Sequence, residues 1–331
     1  MCGSGFFRTF WVSFAASALL LAVLARVLLV TPDVAEPKPD IPIPGRSYVS
    51  AYGDAETDHH LFMFGLFGFG DRIHNADILI MGSSHAQLGV SAAEIARSFA
   101  NPDGRPTAVF NIAVGYGEGS AFAREVIAAH RATAPLAVID MFSPYGNGFS
   151  PYGESVRALN VAQAYRRVLE TWTLFLRDRL IDGLMPRVRF SLSGGFAVER
   201  ALSRVLIRDW NNGDMVDLWA PQRGSLYRTP PAAVLHPLLG AQALPDQIWI
   251  PPETVAFLSA NGMALYATLI PYPEGRSNVA AGRAALARVP YVEVAADGLE
   301  YYDRDHVTAA GRERATARLI EGLTRLMAPP R

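Results

Sequence analysis

The sequence predicts an α/β domain of three layers, α/β/α, with a central parallel sheet, preceded by a transmembrane helix. Two observations predict the sheet: short apolar runs recur between stretches of helical period, and these runs lack polar alternation. Strands without polar alternation are covered by helices on both faces, which is typical of a parallel sheet. A third observation, a continuous apolar segment near the N-terminus, predicts the membrane helix.

Residues 10–30 form this apolar segment, FWVSFAASALLLAVLARVLLV. As a helix it would rise about 31 Å at ~1.5 Å per residue, the thickness of a bilayer core. Arg8 precedes the segment and acidic residues outweigh Lys38 after it, which favours a cytoplasmic N-terminus and a body on the periplasmic or extracytoplasmic side. Alternatively the segment is a cleaved signal peptide and the body is secreted.

We divide the chain into a tail and anchor (residues 1–30), a tether (31–60) and an α/β domain (61–331). Five prolines between residues 31 and 45 favour an extended spacer. The run LFMFGLFGFG at residues 61–70 is predicted to be buried core, with contact to lipid or an integral partner as the alternative. His59 and His60 are predicted to be a solvated pair in a loop.

The elements of the α/β domain follow from apolar runs, caps and turn residues. In chain order we predict strands at 78–81, 108–114, 137–141, 264–270 and 291–294, and helices at 91–99, 120–131, 155–184, 254–260 and 308–327. Ser91 and Glu94 form the capping box of the first helix. Residues 187–248 show no readable period and are predicted to be an irregular insertion over the rim of the sheet.

The composition excludes several classes of function. With 50% hydrophobic and 18% charged residues, the chain buries enough apolar surface to fold. Its 30 Lys and Arg residues against 31 Asp and Glu give a net charge of −1, so we expect no nucleic-acid partner. Cys2 is the only cysteine, so no internal disulfide forms, and no spacing requires a metal or another cofactor.

A serine lies at the turn after the first strand, in the sequence Gly82-Ser83-Ser84-His85. In open α/β sheets, ligands bind at the carboxyl ends of the strands, so this turn would expose a nucleophile. Gly82 permits the sharp turn, and the amides that begin the next helix would face a developing oxyanion. Ordinary turn chemistry is the alternative reading of the same residues.

A second segment supplies a base and an acid. Asp303 and His306 are three residues apart before the last helix, a spacing at which a carboxylate can orient an imidazole. Asp305 competes for this role, but an adjacent residue projects away from the histidine. A serine becomes a nucleophile only when a base accepts its proton, so together the segments predict a triad of Ser84, His306 and Asp303.

These two segments resemble the SGNH, or GDSL, hydrolases, whose nucleophilic serine follows the first strand and whose Asp-x-x-His lies near the C-terminus. Gly82-Ser83-Ser84 stands where that family has Gly-Asp-Ser. The resemblance implies an SGNH-like fold and an oxyanion hole. Its donors are expected in three blocks of the sequence. The first block supplies Ser84, the second Gly115, Tyr116 or Gly117, and the third Ser143 or Asn147. The second block begins at Asn111, and the family's glycine position falls on Tyr116.

The serine in place of the motif aspartate, together with the predicted anchor, resembles the envelope branch of that family. That branch includes proteins that O-acetylate alginate or peptidoglycan, and proteins that assist D-alanylation of teichoic acids. The resemblance implies an acyl-ester hydrolase or O-acyltransferase acting on an envelope glycan. Alternatively, it implies a non-catalytic scaffold or glycan-binding partner of a membrane O-acyltransferase. Trp210 and Trp219 of the insertion are candidate substrate-binding platforms, with packing under loops as the alternative.

A remote alternative is a dinucleotide-binding protein. Gly115, Gly117 and Gly119 lie between a predicted strand and a helix, and Asp140 ends the next strand. In a dinucleotide fold such glycines admit a pyrophosphate and the acid binds a ribose. Ser120 occupies the place of the third glycine of that motif.

Overall fold

The computed structural model describes residues 46–101, 104–142, 144–193, 205–219, 248–271, 277–301 and 306–328, without the side chains of 179–193, 217–219 and 277–279. The chain divides into two compact units. The larger, Pro39–Thr171 with Ser203–Arg331, contains every strand named below. The smaller contains the part of one long helix that begins at Trp172.

The described strands are β1 (Ser47–Tyr52), β2 (Ala55–Glu56), β3 (Ile78–Met81), β4 (Val109–Asn111), β5 (Leu136–Asp140), β6 (Val205–Asp209), β7 (Met215–Trp219), β8 (Ala264–Thr268) and β9 (Tyr291–Val292). The described α-helices are α1 (Asp58–Met63), α2 (Phe69–His74), α3 (Ser84–Gly89), α4 (Ala92–Ser98), α5 (Ser120–His130), α6 (Pro151–Arg157), α7 (Val161–Ser193), α8 (Pro252–Ala260), α9 (Ser277–Leu286) and α10 (Ala309–Met327).

A parallel sheet of five strands, in the order β4-β3-β5-β8-β9, forms the centre of the larger unit. All residues of β3 and β5 are buried, because apolar side chains point to both faces of each strand. Ile80, Ile95 and Leu319 belong to one cluster that joins the sheet to α4 and α10. The predicted α/β class with a parallel sheet is confirmed, and the flanking helices are consistent with three layers.

A second sheet, antiparallel and in the order β2-β1-β6-β7, includes residues of the predicted tether and of the predicted insertion. Residues 47–60 were assigned to the tether, but β1 is buried along most of its length and pairs with β6. The insertion at 187–248 was predicted to be irregular, but it contains β6 and β7 as an antiparallel pair. These strands stabilise one another through ladder hydrogen bonds between segments far apart in sequence.

The glycine-rich run at 61–70 is largely buried, as predicted, because Leu61, Phe62 and Phe69 are inaccessible to solvent. Phe67 is the exception, since its ring is partly exposed. The prediction for His59 and His60 was wrong. Both lie in α1 and are buried, because a helix rather than a loop begins at Asp58.

The helix predicted at 155–184 is two helices, α6 and α7. Asn160 separates them: its Oδ1 accepts from the Gln163 amide at 3.0 Å, and its own amide donates to Gln163 Oε1 at 2.9 Å, a reciprocal cap. Within the described residues, no helix is both long and apolar enough to span a bilayer. The predicted membrane helix at 10–30 and the proline-rich segment up to residue 45 lie outside the described residues.

Candidate active site

The turn after β3 positions Ser84 as the first residue of α3. Gly82 has φ +146°, and a Cβ there would lie 2.8 Å from Asp140 Cβ and 3.1 Å from Ala86 Cβ, so only glycine fits this turn. Ser83 is extended, and its Oγ accepts from the His85 amide at 3.3 Å. As the first helical residue, Ser84 carries an amide with no intrahelical acceptor.

His306 is placed by the segment that leads into α10. Val307 forms a β-bridge with Tyr301, and the Thr308 amide donates to Glu300 O at 2.8 Å. Thr308 Oγ1 accepts from the Gly311 amide at 3.1 Å and caps α10. The chain around His306 is therefore fixed by a bridge, a backbone hydrogen bond and a helix cap.

The two predicted segments meet: His306 Nε2 lies 2.8 Å from Ser84 Oγ. This is hydrogen-bond distance, within which a histidine can accept a serine proton. The acceptor role requires the tautomer of His306 that carries its proton on Nδ1. Asp303 and Ser143 lie outside the described residues.

His85, which the sequence analysis did not select, contacts the catalytic candidates. Its ring stacks on Phe142 at 4.5 Å between centroids and 5° between planes, and it meets His306 edge to face at 5.5 Å. His85 thus supports the side of His306 from the same turn that carries Ser84. The only sequence signal was its position directly after the serine.

The loop after β4 corrects one oxyanion-hole prediction. The Gly115 amide donates to Glu56 Oε1 at 2.9 Å, so it is not available to a substrate. A Cβ at Gly115 would also clash with Glu56 Oε2. Tyr116 has φ +56°, and its hydroxyl donates to Asp54 O. Gly117 has φ +69°, and a Cβ there would lie 2.6 Å from Pro144 Cγ, so glycine is required where this loop meets the next.

The described contacts give Asn147 and Asn111 different roles. Asn147 is exposed, and its Oδ1 accepts from Arg124 Nη2 at 2.6 Å; among the described contacts, none joins it to Ser84 or His306. Asn111 is fully buried, donates from Nδ2 to Ala86 O at 3.1 Å and accepts at Oδ1 from the Ala113 amide at 3.0 Å. Asn111 therefore ties α3 to the loop after β4.

A buried polar network contacts the loop after β4 through the Gly115 amide. Gln87 Nε2 donates to Glu56 Oε1 and to Asp58 Oδ2, both at 3.0 Å. Asp58 Oδ2 lies 2.5 Å from Arg208 Nη1. Burial raises the pKa of Glu56, although His59, with its Nδ1 at 3.8 Å, acts in the opposite direction. Sequence reasoning missed this network because its members lie on four different elements.

Asp140 ends β5 directly beside Gly82. It is almost fully buried, and burial raises its pKa to about 7, although its Oδ1 accepts from the Ile270 amide at 3.1 Å. Because the Asp140 carboxyl is buried and hydrogen-bonded to the backbone, it does not bind a ribose. Together with the occupied Gly115 amide, this argues against the dinucleotide alternative.

Trp210 lies in an aromatic cluster and is half-buried. Its ring lies 5.0 Å from Phe69 and 5.2 Å from Tyr48, and the Arg72 guanidinium lies 5.9 Å from its centroid. These contacts fit the alternative of packing under loops, and substrate binding by Trp210 stays a prediction. Trp219 pairs with Val205 at the end of β7, and its side chain lies outside the described residues.

The described residues contain no group of three His, Cys, Asp or Glu side chains that could hold a metal ion. The side chains that the described site brings together are the hydroxyl of Ser84 and the imidazole of His306. No family model, no curated protein and no solved structure matches this chain.

Proposed function

We propose that Ser84 and His306 are the nucleophile and general base of an acyl-ester enzyme, with Asp303 as the acid that orients the imidazole. The single observation that supports this is the 2.8 Å distance between Ser84 Oγ and His306 Nε2, which joins segments 222 residues apart. A serine hydroxyl reacts with an ester when a positioned base accepts its proton. The proposed architecture around this pair is SGNH-like.

The reaction proceeds in two halves. Ser84 Oγ attacks the acyl carbon as its proton moves to His306 Nε2, and the imidazolium then protonates the leaving alcohol as the C–O bond breaks. In the second half, His306 accepts the proton of water or of a glycan hydroxyl, whose oxygen attacks the acyl-enzyme. The acyl group leaves Ser84, which regains its proton from His306.

The oxyanion is stabilised by the Ser84 amide at the start of α3 and by an amide of the loop after β4. Glu56 occupies the Gly115 amide, and the proposed donors of that loop are the amides of Tyr116 and Gly117. Ser143 is the proposed third donor. Each such donor contributes roughly 3 kcal/mol to transition-state stabilisation.

The proposed substrate is an envelope glycan or the acyl ester that modifies it. Residues 10–30 are proposed to anchor the chain as a single span, with the body on the periplasmic or extracytoplasmic side. A membrane acyltransferase is a candidate partner. These proposals rest on the apolar segment of the sequence and on the resemblance of the two motif segments.

The test combines a chromogenic acetyl ester with a serine-directed phosphonate. The Ser84→Ala variant should lose ester turnover and the phosphonate mass shift. The matched control is Ser83→Ala, which removes the neighbouring hydroxyl and the α3 cap but should keep the label on Ser84. Equal turnover in wild type and Ser84→Ala would reject catalysis and support the scaffold alternative.

A further inference from the structure

A buried histidine that the proposed reaction does not use lies between two buried glutamates. His59 of α1 is inaccessible to solvent, and neither of its ring nitrogens has a hydrogen-bond partner among the described residues. Each nitrogen instead faces a carboxylate. Nδ1 lies 3.8 Å from Glu56 Oε2, and Nε2 lies 3.7 Å from Glu118 Oε1. A buried polar side chain without hydrogen bonds is uncommon in a folded protein and requires an explanation.

Aromatic rings from three elements fix the orientation of this imidazole. Its centroid lies 5.0 Å from that of Phe122 on α5, 4.9 Å from that of Tyr152 on α6 and 6.0 Å from that of Tyr116 in the loop after β4, all edge to face. Tyr116 in turn stacks on Tyr152 at 4.4 Å. Close packing on these sides restricts rotation of the ring, so its two nitrogens stay directed at the two carboxylates.

The charges around His59 favour an imidazolium. In the described ion pairs His59 is the partner of both Glu56 and Glu118, whereas Arg208 pairs with Asp58 at 2.5 Å. Buried carboxylates need positive charge or hydrogen bonds to offset their lost hydration. Only a doubly protonated imidazole carries an N–H on each nitrogen, so only the cation directs one N–H to each glutamate.

The other described titratable groups that face His59 are neutral near neutral pH. Burial lowers the pKa of His60 to about 4, and the charge of His59 acts in the same direction. Burial also raises the pKa of the Tyr152 hydroxyl above its usual value, and the Tyr116 hydroxyl donates to Asp54 O, so both phenols keep their protons. The cluster therefore consists of one imidazole between two glutamates.

The two glutamates bind the loop after β4 at its two ends. Glu56 accepts from the Gly115 amide at 2.9 Å. Glu118 is the last residue of this short stretch, and its Oε1 and Oε2 each accept from the Ser150 amide at 3.2 Å, at the start of α6. The two residues whose amides are the proposed oxyanion donors of this loop lie between these points. A displacement of either glutamate would therefore move the donors.

We propose that His59, as an imidazolium, holds Glu56 and Glu118 in place and thereby positions the loop that stabilises the oxyanion. The inference rests on the proposed function, because the loop affects a rate only if Ser84 reacts with an acyl ester. His59 acts through the two glutamates and is a positioning residue. Without its charge, two buried carboxylates would lack a cation, and the loop that they bind would shift.

The kinetic test compares His59→Gln with His60→Gln in the full chain. His59→Gln should lower kcat for an acetyl ester about tenfold or more with little change in KM, because misplaced amides stabilise the transition state less well. His60→Gln is the matched control, since it replaces a buried and neutral histidine of the same helix, and it should keep kcat. Adding Glu118→Gln to His59→Gln should recover part of the loss, because only Glu56 then lacks a cation.

Histidine-selective ¹⁵N NMR of the full chain measures the charge of His59 without depending on activity. Its ring signals, assigned as those missing from His59→Gln, should show both nitrogens protonated near neutral pH. The imidazolium signals should disappear at a lower pH in Glu118→Gln than in wild type, because removal of an anion destabilises the cation. A neutral ring of His59 near neutral pH would overturn the proposal.

The kinetic outcomes separate this inference from the proposed function. If wild type turns over the ester and His59→Gln has the same kcat, His59 does not position the loop, and the proposed function stands. Equal losses of kcat in His59→Gln and His60→Gln, or no recovery in the double variant, would assign His59 a packing role and reject the inference. If wild type shows neither turnover nor phosphonate label on Ser84, the proposed function fails, and the role of His59 in the rate fails with it.

Discussion

Single side chains at this site act through the backbone groups that they bind. Glu56 takes the Gly115 amide and the Gln87 side chain at 2.9 and 3.0 Å, and the Tyr152 hydroxyl donates to Glu56 O at 2.7 Å. The loop that carries Gly117 is therefore positioned by a residue that precedes Ser84 in the chain. We interpret Glu56 as a positioning residue rather than a catalytic one.

Glu56→Ala should lower kcat for an acetyl ester by about 10- to 100-fold with little change in KM, because a displaced loop weakens oxyanion stabilisation in the transition state. Glu56→Gln keeps an oxygen acceptor for both donors and should recover most of the rate. The control is Asp77→Asn, which removes the negative charge that pairs with Arg105 at the opposite end of β3 and should affect stability but not kcat. A rise in KM with unchanged kcat would contradict the interpretation.

Asp140 should make stability fall as pH rises. Its folded pKa is about 7, against about 3.9 in an unfolded chain. Between these values only the folded state holds the proton, so the free energy of unfolding decreases from about pH 4 to about pH 7, by roughly 4 kcal/mol in total. Urea titrations should show that Asp140→Asn gains stability over wild type across that range. A difference that does not vary with pH would reject the raised pKa.

Helix starts in this fold depend on partners from distant elements. Asp214, in the turn between β6 and β7, accepts from Ser91 Oγ at 2.9 Å and from the Ala92 and Ala93 amides at 2.5 and 2.9 Å. It thereby satisfies the amides at the N-terminus of α4 that no intrahelical carbonyl reaches. The β6–β7 hairpin thus stabilises α4, the helix that comes after the Ser84-bearing helix α3.

Asp214→Ala should lower the free energy of unfolding by about 2–4 kcal/mol, because it removes a helix cap and leaves buried amides without acceptors. Urea-induced unfolding measures this change. Glu321→Ala is the control, since it breaks an exposed pair with Arg325 on α10 and should cost less than about 0.5 kcal/mol. Equal losses in the two variants would show that Asp214 does not support α4.

The sequence predicts the strands whose residues are all apolar and buried. It misses the elements that depend on contacts with residues far away in the chain. The strand at Ile78–Met81 was predicted with its observed bounds, because four consecutive apolar residues have no polar alternation. In contrast, β6 contains Arg208, which is fully buried. An arginine is not expected in a buried strand unless the acidic residue that pairs with it is known. The same reason explains the error at Gly115, whose amide is taken by a residue 59 positions earlier.

At the scale of the whole larger unit, one buried arginine connects its two sheets near the candidate site. Arg208 of β6 donates to Asp58 at 2.5 Å, to Asn111 O at 2.7 Å and to Ala113 O at 2.9 Å. The last two carbonyls belong to the end of β4 and the loop that follows it. Arg208 of the antiparallel sheet therefore binds the beginning of the loop after β4, whereas Glu56 binds Gly115 further along the same loop.

Arg208→Met should lower the free energy of unfolding by about 3–5 kcal/mol, because it leaves the Asp58 carboxylate buried without its cation. Adding Asp58→Leu should recover part of that loss, since an apolar pair needs no compensation. Arg105→Met is the control, because it breaks a half-exposed pair with Asp77 and should cost about 1 kcal/mol or less. Equal losses for the two arginine variants would contradict the view that Arg208 links the two sheets. Circular dichroism during urea unfolding tests this view directly, because a single transition is expected in wild type and an earlier one in Arg208→Met.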